Sequence, residues 1–249
     1  MGRVLMNQFS GHTPSASPSR VASARAAANR LPVLYAGLRR VIRPVLEGLF
    51  DFHVSVLDHV PESGPFIVAV NHANYLDGVV LGTALPRKIA FLVMPRVYRA
   101  TPLHPYFYRH IGSISIELSR PDPGAIRGAL RVLERGGVVG IFPEGPFGRS
   151  GRLVRGQPGV ALVALRSGVP VVPAAITGTA RALWGRRWHI PRRIPLEVRF
   201  GRPLRFQRPH RRPLTHTLRE DVTGRIMAEI AAMLPAAQRP TPDLASAPR

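Results

Sequence analysis

Phe66-Ile-Val-Ala-Val-Asn-His-Ala-Asn-Tyr-Leu-Asp-Gly78 decides how the rest of the chain is read. Its first five residues are wholly apolar, as in a buried strand. The run breaks abruptly at Asn71 and His72, and Asp77 follows five residues after the histidine at a helix start. A strand that runs through a polar bend into a helix is the repeating unit of an α/β layer structure.

The same alternation continues on both sides. Apolar runs predict strands at 52–57, 89–94, 113–116, 138–142, 171–176 and 196–200, beside the one at 66–70. Helical spacing predicts helices near 77–84, 124–135, 158–167 and 216–234, the last with Leu218, Val222, Ile226, Ile230 and Met233 along one core-facing side. Pro61-Glu62-Ser63-Gly64-Pro65 reads as the turn between the first two strands. The expectation is a single α/β domain over 31–235, with a largely parallel mixed sheet flanked by helices.

Further upstream, Leu34, Leu38, Val41, Ile42, Val45, Leu46 and Leu49 recur at helical spacing among Arg39, Arg40 and Arg43. This basic amphipathic helix over 31–50 can pack on its own domain or lie in a membrane interface. Pro44 falls inside it and is expected to kink or divide it. Residues 1–30, rich in Ser, Ala, Pro and Arg, read as a disordered basic lead, and 236–249 as a disordered tail.

The 249 residues include 35 Lys and Arg against 14 Asp and Glu, a net charge of +21, and Lys88 is the single lysine. Such a balance attracts anionic partners: an acidic lipid surface, a phosphorylated substrate or nucleic acid. The arginines are scattered and match no nucleic-acid-binding motif, so nucleic acid is not expected. Arg181 to Arg193 places Trp184 and Trp188 among five arginines, a mixture suited to lipid headgroups or to a solvated basic loop. With no cysteine, thiol catalysis and thiolate metal sites are excluded. No secretory signal is legible and no window reaches the ~18–20 apolar residues that cross a bilayer. A protein in the cytoplasm or peripheral on the cytoplasmic face of a membrane is expected.

Chemistry concentrates at the ends of apolar strands. Were residues 72–77 all helical, His72 and Asp77 would point ~140° apart; a bend between strand and helix lets them meet. An imidazole held in one tautomer by a carboxylate is a general base. No Gly-x-Ser-x-Gly elbow is present, so the hydroxyl it activates must come from the substrate. Alternatively, Asp77 serves only as a helix cap. A second strand ends in Phe142-Pro143-Glu144-Gly145, placing a carboxylate at the strand edge where α/β proteins bind ligands. Two further segments are Gly112-Ser-Ile-Ser-Ile-Glu-Leu-Ser-Arg120 and Gly168-Val-Pro-Val-Val-Pro-Ala-Ala-Ile-Thr-Gly178.

In this order and spacing, the four segments resemble the sequence blocks of the glycerolipid, or lysophospholipid, acyltransferase family. Asn71-His72 through Asp77-Gly78 stands for the Asn-His-x-x-x-x-Asp-Gly block, and Phe142 to Gly145 is an intact Phe-Pro-Glu-Gly block. The likeness covers roughly 52–180. It implies a glycerol-3-phosphate acyltransferase-like fold in which His72 deprotonates an acceptor hydroxyl and Asp77 orients it. The alkoxide then attacks an acyl thioester of coenzyme A or acyl carrier protein, without a metal or other cofactor. It also implies that Gly112, Arg120, Phe142, Pro143, Glu144, Gly145 and Arg149 line the acceptor site. The acceptor it favours is 1-acylglycerol-3-phosphate, giving phosphatidic acid, at an acidic membrane surface.

Two positions depart from the family pattern. Leu118 and Phe147 stand where arginines commonly bind an acceptor phosphate, and Arg120 and Arg149 each follow two residues later. Either those arginines reach the same phosphate, or the acceptor is another lyso-lipid without one. A non-catalytic peripheral membrane protein on the same fold is the reading against which His72 and Asp77 together count.

Overall fold

The computed structural model describes residues 33–95, 112–117, 121–146, 151–182, 193–207 and 213–240. Seven strands form one sheet: β1 (Asp51–Ser55), β2 (Phe66–Val70), β3 (Ile89–Val93), β4 (Ile114–Ser115), β5 (Val138–Ile141), β6 (Val171–Thr177) and β7 (Pro195–Phe200). Six α-helices accompany them among the described residues: α1 (Val33–Leu49), α2 (Leu76–Ala84), α3 (Pro123–Glu134), α4 (Gly159–Ser167), α5 (Thr179–Ala182) and α6 (His216–Met233). The strand order is β1-β7-β6-β2-β5-β3-β4. Every neighbouring pair is parallel except β6 with β7. The expected mixed, largely parallel α/β sheet is therefore observed.

β2 lies in the middle, and all five of its residues are buried. Alternation sends them to opposite layers. Phe66, Val68 and Val70 join Leu46 of α1 and Val80, Leu81 and Ala84 of α2. Ile67 and Ala69 join Ile126 and Leu133 of α3, Val160 and Val163 of α4, and Ile226 and Ile230 of α6. A strand covered on both faces must be apolar throughout, which is why its sequence shows no period of two. Close packing also explains Gly140 in β5: a Cβ there would sit 2.6 Å from Ile89 Cγ2 and 2.7 Å from Phe91 Cδ1.

Arg87 braces the sheet at the end remote from the chemistry. It is 5% exposed, donates to Gly64 O at 2.6 Å and Gly136 O at 3.0 Å, and lies over the Phe66 ring. One guanidinium thus joins the turns that lead into β2 and β5.

Two expectations change. Pro44 does not divide α1, which runs unbroken for 17 residues. The ring removes only the bond its N–H would give to Arg40 O, and the packing of Leu46 and Tyr35 retains the helix. Residues 236–240, expected to begin a disordered tail, instead form a 3₁₀ turn at Ala236–Gln238. Leu153 N donates to Gln238 O and Arg239 Nε to Leu234 O, so hydrogen bonds hold this segment to its neighbours. The expectations for 1–30 and 241–249, and the tryptophans at 184 and 188, lie outside the described residues.

Candidate active site

The site forms where the two central parallel strands end. Register pairs Ala69 of β2 with Ile141 of β5, so the residues just beyond each strand emerge side by side. Asn71 secures the first. Its Nδ2 donates to Ile176 O at 2.9 Å, and its Oδ1 accepts from Ile176 N at 2.7 Å. The amide thus extends the ladder between β2 and β6 by a peptide-like pair, and the next residue, His72, leaves the sheet in a set direction.

Residues 71–75 are not helical, and α2 begins at Leu76. That bend brings His72 and Asp77 together: His72 Nδ1 is 2.8 Å from Asp77 Oδ2. The same oxygen accepts from Ala73 N and Asn74 N, both at 2.7 Å. Asp77 is fully buried, and its charge is balanced by three N–H donors and by its place in the first turn of α2. Its other oxygen, Oδ1, has no hydrogen-bond partner. Asp77 therefore shapes the bend and holds the imidazole at once; it lies within the first turn of α2, whose N-cap position is Tyr75, so it is not the helix cap that the alternative reading made it. With Nδ1–H donated to Asp77, the lone pair resides on Nε2. The His72 side chain is 14% exposed.

The second strand end supports the first. Phe142 lies against the His72 ring, with centroids 4.0 Å apart and planes 20° from parallel, and Phe91 lies beyond it. Glu144, 4% exposed, accepts from His72 N at 2.6 Å through Oε1 and from Val154 N at 2.8 Å through Oε2. Burial holds its carboxyl above the usual glutamate range, with the Asp77 charge adding to the rise. The N–H groups of His72 and Val154 and the imidazole pull it down. Gly145 turns the chain with φ of +80°, a conformation that favours glycine, and Gly145 N donates to Phe142 O. Pro143 O accepts from Gln157 N at 2.7 Å.

His72, Asp77, Phe142, Pro143, Glu144 and Gly145 are thus brought together. Gly112 is not. It precedes β4, which runs parallel to β3 and β5, and so lies toward the strand starts rather than the strand ends. There the Lys88 side chain passes close by: Nζ would be 3.0 Å from a Cβ at Gly112. Its positive φ of +75° and that close approach account for the glycine. Arg120 and Arg149, with Leu118 and Phe147, lie outside the described residues. The bracing roles of Asn71 and Phe142 had no separate signal in the sequence, because each depends on a partner far along the chain. Among the described residues no cluster of three or more His, Asp or Glu could hold a metal ion.

Known proteins resemble this chain in sequence and in fold. A 1-acyl-sn-glycerol-3-phosphate acyltransferase of Bacillus subtilis is 27% identical over 122 residues, 49% of this chain and 60% of that protein. One from Limnanthes douglasii is 34% identical over 94 residues, 36% of this chain and 33% of that one. The chain therefore spans less than two thirds of these curated relatives' lengths. The crystal structure of the 1-acyl-sn-glycerophosphate acyltransferase PlsC from Thermotoga maritima shares the fold, with a TM-score of 0.63 and 20% identity over 77% of this chain and 76% of that one. A family model described as Acyltransferase matches residues 51–177, about half of the chain and the whole of the histidine–carboxylate site, and the protein belongs to that family.

Proposed function

We propose that this protein transfers a fatty-acyl group from an acyl thioester to the free hydroxyl of 1-acylglycerol-3-phosphate, forming phosphatidic acid. His72 Nε2 takes the hydroxyl proton as the oxygen attacks the thioester carbonyl. The tetrahedral intermediate then collapses, the carbon–sulfur bond breaks, and the imidazolium returns its proton to the departing thiolate. Asp77 keeps Nδ1 protonated, so that Nε2 is the basic atom, and offsets the charge of the imidazolium. The observation that carries this reading is the 2.8 Å contact between His72 Nδ1 and a buried carboxylate at the ends of the central strands. The acceptor is inferred from the activity named for the curated relatives. Coenzyme A and acyl carrier protein both fit as carriers, since the chemistry needs only a thioester.

Purified protein given acyl-coenzyme A and lysophosphatidic acid is expected to release free thiol, and His72→Ala to lower that release by ~10²-fold or more. Undiminished turnover by the alanine variant would refute the mechanism. A second acceptor reading rests on Leu118 and Phe147, which replace two arginines suited to phosphate. Turnover with neutral lyso-lipids but not with lysophosphatidic acid would establish it.

The acceptor is a lipid, and α1 offers a means of meeting it. Val41 is 64% and Val45 50% exposed, with Leu34 and Leu49 also exposed along the same side. Tyr35 and Leu46, on another side, are buried against the domain. The apolar face is thus wider than the domain covers, and the chain's positive charge adds attraction to acidic headgroups. Docking to a membrane surface through this uncovered stripe forms part of the same proposal. No helix among the described residues is long and apolar enough to cross a membrane.

A further inference from the structure

Glu144 belongs to a block whose resemblance assigns it to the acceptor, yet its surroundings point elsewhere. It is 4% exposed. Each oxygen already has a main-chain donor, His72 N at 2.6 Å on Oε1 and Val154 N at 2.8 Å on Oε2. Those donors come from two segments far apart in sequence, the end of β2 and the loop before α4. A carboxylate so enclosed has little left to offer a sugar or glycerol hydroxyl. It is well placed to decide where the His72 backbone sits.

The loop it grips is itself held. Leu153 N donates to Gln238 O, and Gln157 N to Pro143 O. A Cβ at Gly156 would come within 2.8 Å of both Met227 Cγ and Thr223 Cγ2 of α6. Arg155 pairs with Glu220 of the same helix. The order of attachment is therefore α6, loop 151–158, Glu144, His72 backbone. Asp77 fixes the imidazole from one side and, through Ala73 N, the peptide that follows His72, while Phe142 covers the ring face; of the three, Glu144 is the one that takes the His72 N–H itself. A base displaced by ~1 Å can lose ~10²-fold in rate.

We propose that Glu144 is a positioning residue for His72, setting the height of the imidazole above the sheet by anchoring its peptide N–H to the 151–158 loop. This rests on His72 being the base. Glu144→Gln keeps the shape but presents an amide N–H₂ to one of the two N–H donors, so one bond is replaced by a repulsive contact.

In the thiol-release assay with acyl-coenzyme A and lysophosphatidic acid, Glu144→Gln is expected to lower kcat by ~10- to 100-fold while the acceptor KM stays within about twofold. In the His72→Ala background the same substitution should cause no further loss, because Glu144 acts only through the imidazole. A raised acceptor KM with kcat preserved would make Glu144 an acceptor ligand and overturn the inference; so would a full additional loss in the His72→Ala background. Glu144→Asp, which keeps the charge but shortens the reach, is read by the same split and decides the matter if the glutamine variant does not fold. Hydrogen exchange at the His72 amide gives a readout that needs no turnover. Faster exchange in Glu144→Gln is expected, and unchanged exchange would overturn the inference even if lysophosphatidic acid proves to be the wrong acceptor. Activity surviving in His72→Ala would instead sink the general-base reading.

Discussion

At the scale of single residues, one carboxylate oxygen does two things that are usually separate. Asp77 Oδ2 accepts the amides of Ala73 and Asn74, which shapes the bend, and meets His72 Nδ1, which sets the tautomer. An amide in its place can still shape the bend but cannot balance an imidazolium. Asp77→Asn is therefore expected to retain acceptor KM and lose ~10²- to 10⁴-fold in kcat, measured by steady-state thiol release. Glu144 carries a separate, thermodynamic signature. Its carboxyl is raised by burial, and the titratable groups facing it are His72 and Asp77. Between its unfolded and folded pKa the native state binds the extra proton, so its contribution to stability is greatest at acid pH and declines as pH rises through the folded value. The stability of the wild type minus that of Glu144→Gln should fall across that window above the ordinary glutamate range. Denaturant titrations at a series of pH values measure it, and a difference that rises with pH would contradict the assigned environment.

At the scale of elements, α1 shows what periodicity can and cannot say. Its apolar residues were legible as a helical stripe, and the helix is there. Which part of the stripe packs inward depends on how α1 lies on α2 and β1. Tyr35 OH approaches Gly82 O, and Arg39 Nε donates to Thr83 O at 2.9 Å. These contacts turn one flank inward and leave Val41 and Val45 exposed. Replacing both valines by serine should reduce flotation with neutral and acidic vesicles alike while thermal stability holds, since neither residue is buried. Replacing Arg40 and Arg43 by alanine should weaken binding to acidic vesicles only. Equal flotation of every variant would remove α1 from the membrane contact. The short α5 left no legible period, being only four residues long.

At the scale of the whole molecule, the sheet carries its chemistry at one end and a brace at the other. Arg87 joins the turns before β2 and β5, and those strands end in the two halves of the site. Arg87→Ala leaves two half-buried turn carbonyls without their charged donor and is expected to cost about 1.5–3 kcal/mol of stability. The acceptor KM and the pH profile of the remaining folded enzyme should not change. Denaturant unfolding together with steady-state kinetics checks both parts, and an unaltered unfolding midpoint would show the brace to be idle.

Local chemistry was enough to determine the strands and the major helices, and to mark His72 and Asp77 as able to meet; that they do meet is read from the folded bend. Buried strands must be apolar, and a histidine five residues before an aspartate across a strand-to-helix bend is within reach of it. Only the tertiary structure decided what Glu144, Phe142 and Gly112 touch. Their partners lie tens of residues away, and strand order and register bring Glu144 and Phe142 to His72 while leaving Gly112 toward the strand starts. The same holds for the ordered turn at Ala236–Gln238. Its composition resembles a solvated tail, and its hydrogen bond with Leu153, 85 residues earlier, exists only once α6 has packed on the sheet.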